Sequence, residues 1–84
     1  MPEITIYTTQ YCGYCYRAKA LLESKGAEYT EIAMDGDRQG RKELAQKSGQ
    51  HTVPQIWIGE KHIGGCDELT ALDSVGQLDL LLAT

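Results

Sequence analysis

YTTQYCGYCYRAKALLESKG, residues 7–26, places two cysteines two residues apart where an alternating pattern gives way to a helical one. Upstream, EITIYT (3–8) alternates through Ile4 and Ile6 and reads as a strand. From Tyr14 the period changes. Ala18, Leu21 and Leu22 recur at helical spacing, with Arg17, Lys19 and Glu23 on the opposite face and Gly26 as a stop. EYTEIA (28–33) alternates again. Strand, helix and strand within about thirty residues make a βαβ unit, a parallel pair with a right-handed crossover.

Further along, the loop MDGDRQG leads into a second helix over 39–47, with Leu44 and Ala45 inward and Gly49 ending it. PQIWI (54–58) is a third strand, GEK (59–61) a tight turn, and HIGG (62–65) a short antiparallel fourth strand. CDELTALDSVGQLDLLLA is helical, with a break at Gly76. This order predicts an α/β protein, a four-stranded mixed sheet with helices on both faces. Ile56, Trp57 and Ile58 are expected to pack in the sheet.

The 84 residues are expected to form one domain, 1–84, with a thin core. Eight Lys+Arg against twelve Asp+Glu leave a net charge of −4, which argues against nucleic acid or anionic membrane as a partner. No apolar run is long enough to span a bilayer. MPEITIY lacks the basic and apolar regions of a signal peptide, so the expected location is cytoplasmic. Three cysteines cannot all pair within the chain. In a reducing compartment a disulfide is more often transient and catalytic than structural.

Cys12 falls at the start of the first helix, where unpaired N–H groups and the positive end of the helix dipole favour an anion. A thiol placed there ionises more readily, and the thiolate is the nucleophile. Cys15 follows one turn later on the same face, within the ~4.4–6.8 Å Cα separation of a disulfide. Lying deeper in the helix, it is expected to be the less exposed. Cys12 therefore attacks and Cys15 resolves. A zinc site needs two more ligands, and His51, His62 and Cys66 form no second close pair. Redox chemistry between two thiols is the stronger reading. His51 and His62 are expected at the surface with no catalytic role, and Arg38 to Lys47 mainly as a solvated helix face.

Three motifs, CGYC (12–15), TVPQIW (52–57) and GGCDEL (64–69), occur in the order and spacing of a known family. Across essentially its whole length the chain resembles the glutaredoxins, in particular the short bacterial dithiol members. Thioredoxin itself fits poorly, since WCGPC is absent and the first strand of the redox core comes at once. The resemblance implies a thioredoxin fold with strand order 2-1-3-4 and a groove for glutathione. It also implies a cis peptide before Pro54, beside which the backbone of Val53 pairs with the cysteine of glutathione like an added strand. Thr52, Val53 and Pro54 thus belong to the groove, and Tyr14 is expected as its wall. Gly65 leads into a helix whose first N–H groups, on Cys66 and Asp67, would meet the γ-glutamyl carboxylate. Asp67 matches the family residue that takes the neighbouring ammonium, and it also reads as a helix cap. Cys66 reads equally as a small buried residue or as a backbone contact to glutathione. Arg41 matches a family position for the glycyl carboxylate.

The chain departs from the family at two places. Thr9 stands where a lysine often precedes the active site, which removes one cationic contact. Gly13 replaces the usual proline of CPYC, which frees the backbone angle and restores an N–H donor. The resemblance implies a glutathione-dependent thiol–disulfide oxidoreductase acting on glutathionylated and disulfide-containing proteins as a monomer. Sites of the CGYC type in this family are also associated with a [2Fe-2S] cluster shared between two monomers, each giving its Cys12 thiolate and a bound glutathione.

Overall fold

The computed structural model describes residues 2–83. Its elements run β1 (Ile4–Thr8), α1 (Gly13–Ser24), β2 (Thr30–Ala33), α2 (Arg38–Ser48), β3 (Gln55–Ile58), β4 (Lys61–Gly64), α3 (Cys66–Ser74) and α4 (Gln77–Leu82). The strands form one mixed sheet in the order β2-β1-β3-β4. β2 runs parallel to β1, while β3 is antiparallel to both β1 and β4. This is the thioredoxin fold, in the strand order that the resemblance implies.

Alternation in the two central strands sends their side chains to opposite layers. Ile4 and Ile6 of β1 and Ile56 and Ile58 of β3 face Ala18 and Leu22 of α1, Leu69 of α3, and Leu78 and Leu82 of α4 in the main core. Each buried Ile or Leu contributes roughly 1.5–3 kcal/mol. On the other face Trp57 packs with Met34 and with Leu44 of α2, flanked by Tyr7 and Val53. The Tyr7 ring meets the Trp57 indole edge-on at 5.5 Å, and Lys47 Nζ lies 4.5 Å from a Trp57 ring centroid.

Local signals set the ends of the helices. Asp37 caps α2 by accepting the Gly40 N–H at 2.8 Å. Gly49, at φ 74°, closes α2 in the left-handed conformation that glycine adopts without steric cost. Gly76, at φ 77°, makes the expected break between α3 and α4.

Differences from the sequence expectation gather at the sheet edge. β2 starts at Thr30 instead of 28, and all four of its residues are exposed. It is an edge strand hydrogen-bonded only to β1, so its alternation buries nothing. β3 starts after Pro54, which has no N–H to give the ladder. His62 overturns the expectation of a surface residue: it is half-buried. It pairs across the sheet with Trp57, and the two rings lie 4.5 Å apart.

Candidate active site

The chain leaves β1 at the centre of the sheet and must turn sharply into α1. Tyr11 makes that turn with φ 58°, a value that non-glycine residues seldom adopt. The preceding Gln10 N–H is held by the Asp35 carboxylate at 2.8 and 3.1 Å. Cys12 then sits at the N-cap of α1 in an extended conformation. Its Sγ accepts the backbone N–H of Cys15 at 3.2 Å, and its thiol points to the Val53 carbonyl oxygen at 3.8 Å. A thiolate there still accepts the Cys15 N–H but can no longer donate to the Val53 carbonyl.

The two thiols have different surroundings. Cys12 is half-buried, whereas Cys15 is 1% exposed. Burial, followed by the hydrogen bond with Cys12, pushes the Cys15 thiol up to about 12. Both are free thiols. The expected asymmetry, one accessible sulfur and one sheltered one, is present in this geometry.

Beside Cys12 the peptide between Val53 and Pro54 is cis. This segment lines a groove of about 340 Å³ whose near wall is Tyr14. Gln50, Thr52, Val53 and Pro54 form its floor, and Gly65, Cys66, Asp67 and Glu68 form the far end. The volume lies within the range of small-molecule sites. Gly65 is the N-cap of α3 and offers no side chain to cap the first turn. Instead Glu68 reaches back to accept the Gly65 N–H at 2.6 Å. A Cβ at Gly65 would sit 3.3 Å from the Pro54 carbonyl, so glycine lets the two segments close on each other.

Of the residues expected in a ligand groove, Tyr14, Thr52, Val53, Pro54, Gly65, Cys66 and Asp67 come together. Arg41 lines an adjacent depression with Arg38, Lys42 and His51, and its guanidinium donates to the His51 carbonyl at 3.4 Å. Thr9 lines a different depression, with Thr8, Lys19 and Glu31. Sequence reasoning missed Gln50 and Glu68. The spacing Gly65-x-x-Glu68 is half of a capping box and carried a signal for Glu68. Gln50 lies in an irregular loop and had none. Among the described residues no cluster of three or more His, Cys, Asp or Glu could hold a metal ion, and no helix is long and apolar enough to cross a membrane.

A helix-capping thiol with a buried partner one turn behind it, facing a cis-proline loop across the sheet ends, defines the class of thioredoxin-fold dithiol proteins. The glutaredoxin family model matches residues 4–63. A glutaredoxin from Pseudomonas aeruginosa is 59% identical over 83 residues, covering 99% of each chain. Glutaredoxin 3 of Escherichia coli is 54% identical over 82 residues, covering 98% of this chain and 99% of its own. The buckwheat glutaredoxin–glutathione complex superposes with a TM-score of 0.89 at 40% identity, over 95% of this chain and 76% of the buckwheat chain. The chain belongs to the glutaredoxin family. It is a thiol–disulfide oxidoreductase with two nearby cysteines.

Proposed function

We propose that this protein is a glutathione-dependent oxidoreductase that reduces protein–glutathione mixed disulfides and protein disulfides. The Cys12 thiolate attacks the glutathionyl sulfur, the S–S bond to the client breaks, and the client leaves as a thiolate that takes up a proton. Cys12 is then bonded to glutathione. A second glutathione thiolate attacks that glutathionyl sulfur, which frees Cys12 and forms glutathione disulfide. With a protein disulfide, Cys12 first bonds to the client. Cys15 then gives up its proton and attacks Cys12 Sγ, releasing the client as a dithiol, and two glutathiones reduce the Cys12–Cys15 bond.

One observation carries this reading: Val53, whose carbonyl meets the Cys12 thiol, lines a groove together with the N-terminal end of α3. That end suits a carboxylate, through the N–H groups of Cys66 and Asp67. The Asp67 side chain suits an ammonium, and the Val53 backbone suits a cysteinyl peptide unit. Arg41 would reach the second carboxylate from its neighbouring depression. The glutathione named in the buckwheat complex supports the same ligand class. A cytoplasmic location belongs to this reading, because turnover by reduced glutathione needs a reducing environment, and the reading takes 1–84 as a single domain.

The alternative, a [2Fe-2S] cluster between two copies, would draw one protein ligand from each chain, the Cys12 thiolate. Cys15 and Cys66 are buried. A Cβ added at Gly13 would meet nothing within 4 Å beyond its own helix and chain neighbours, so the chain over Cys12 has room on that side. The residues fit only the shared form.

Replacing Cys12 with serine is expected to abolish glutathione-coupled turnover of both substrate types. Cys15→Ser is expected to keep deglutathionylation and to lose dithiol reduction of protein disulfides. An active Cys12→Ser protein would refute the mechanism.

A further inference from the structure

Gln55 is the first residue of β3 and is 0% exposed. Its side-chain amide makes contacts in two directions. The amide nitrogen lies 2.8 Å from Gln50 Oε1, 3.0 Å from the Thr52 carbonyl oxygen and 3.4 Å from Thr52 Oγ1. On its other side Gln55 Oε1 lies 2.7 Å from His62 Nε2. A backbone carbonyl can only accept, so the NH₂ group must face Thr52 and the oxygen must face the imidazole. His62 Nε2 therefore carries a hydrogen and donates it. The Trp57 indole, 4.5 Å away, holds the ring in that orientation.

We propose that Gln55 is a positioning residue for the groove, and that His62, by donating to Gln55 Oε1, helps hold its amide in the orientation that the Thr52 carbonyl requires. The NH₂ group ties down the loop at Gln50 and Thr52, both of which line the groove beside Val53. Fixed on β3 and β4, the amide holds the groove floor at a set distance from Cys12, whose thiol meets the Val53 carbonyl. The proposal rests on the reading of that groove as the glutathione site. It adds what keeps the site in shape before ligand arrives. Order in the floor lowers the cost of binding, so its loss belongs in KM more than in kcat.

Three substitutions test it. Gln55→Glu keeps the acceptor for His62 but removes both N–H donors and sets a carboxylate against the Thr52 carbonyl. His62→Phe keeps the stack on Trp57 and removes the donor. His62→Gln restores a donor. Gln55→Glu is expected to raise the KM for glutathione about tenfold, and His62→Phe several-fold, with kcat changing less than twofold and with partial recovery in His62→Gln. In the unmodified protein, ¹H–¹⁵N NMR is expected to show His62 as the Nε2–H form, and amide exchange at residues 50–53 is expected to quicken in Gln55→Glu. Thermal unfolding of each variant confirms that it is folded. Detection of His62 as the Nδ1–H form, or unchanged loop exchange in folded Gln55→Glu, would overturn the proposal. An unchanged KM in Asp67→Ala together with the expected NMR result would instead refute the groove as the glutathione site and leave the role of Gln55 in the loop standing.

Discussion

Cys12, Cys15 and Cys66 share a side chain and differ in what surrounds them. Cys12 lies half-buried at a helix end, and Cys15 is buried one turn further on. Cys66 is 7% exposed, with Sγ 3.9 Å from Thr70 Oγ1, yet its backbone edges the groove. Both readings of Cys66 that the sequence left open are thus compatible with its position. Near neutral pH, iodoacetamide is expected to modify Cys12 alone, with Cys15 and Cys66 reacting only after denaturation. Peptide mass spectrometry checks this, and early labelling of Cys15 would contradict its burial. The high value at Cys15 also bears on the resolving step. Burial is its largest cause, but the hydrogen bond and charge of Cys12 add to it. Once Cys12 is tied into a disulfide, those two contributions disappear and Cys15 ionises more easily. The same shift bears on alkaline stability. Cys15 rises from 9.0 to about 12, and Tyr29, bonded to Glu23, from 10.0 to about 12. Stability from both groups is fully present below their ordinary values and is lost as pH climbs toward 12. Denaturant midpoints are expected to fall across that window, and Tyr29→Phe is expected to remove the share due to Tyr29.

At the scale of elements, the exposed edge strand β2 is held less by apolar burial than by Glu31. Its carboxylate accepts from Thr8 Oγ1 at 2.6 Å and from Lys19 Nζ at 3.0 Å, joining β2 to β1 and α1. The Thr8 hydroxyl, then Lys19, holds the Glu31 carboxyl below its usual range. Stability from this group is present above that usual range and is lost as pH falls through the lowered folded value. Glu31→Gln is expected to flatten the acid limb of a stability–pH curve, an effect read by urea unfolding at successive pH values. Helix α3 depends instead on apolar packing. Leu69 is fully buried in the main core, so Leu69→Ala is expected to cost about 2–5 kcal/mol. Because α3 begins at the groove, the same variant is expected to bind glutathione more weakly in proportion to how far the helix loosens. Equilibrium denaturation and steady-state kinetics on one preparation connect the two effects.

For the whole molecule, the groove exists only because three segments distant in sequence meet at one end of the sheet. Asp67 lines it directly, while Arg41 stands in the next depression. Asp67→Ala is therefore expected to raise the KM for glutathione more than Arg41→Ala does, with kcat largely kept in both. The Arg41 contribution, being exposed, is expected to fade as salt increases. Steady-state kinetics at two ionic strengths decides, and an unaltered KM in both variants would refute the groove as drawn. The cluster-bridged form has its own test. Protein prepared without oxygen, with iron, sulfide and glutathione supplied, is expected to be coloured and dimeric if Gly13 permits it, and Gly13→Pro to bind less cluster. A colourless monomer with reactive Cys12 would leave the oxidoreductase alone.

What could be read from the chain alone was whatever neighbouring residues decide among themselves. The change of period after Thr8, the cap at Cys12, the stop near Gly26 and the break at Gly76 are local signals, and each element they predict is present within a residue or two. The different burial of Cys12 and Cys15 was legible for the same reason, since one helical turn separates a helix end from a helix interior. The tertiary structure decided what depends on pairing. It left β2 without a covering layer. It put His62 against Trp57 and buried Gln55 where a sequence pattern shows only a polar residue beside proline. It also set Arg41 one depression away from Asp67. These outcomes follow from strand register and from which helix lies over which face, and a slip of one residue along a strand would reverse every one of its side chains.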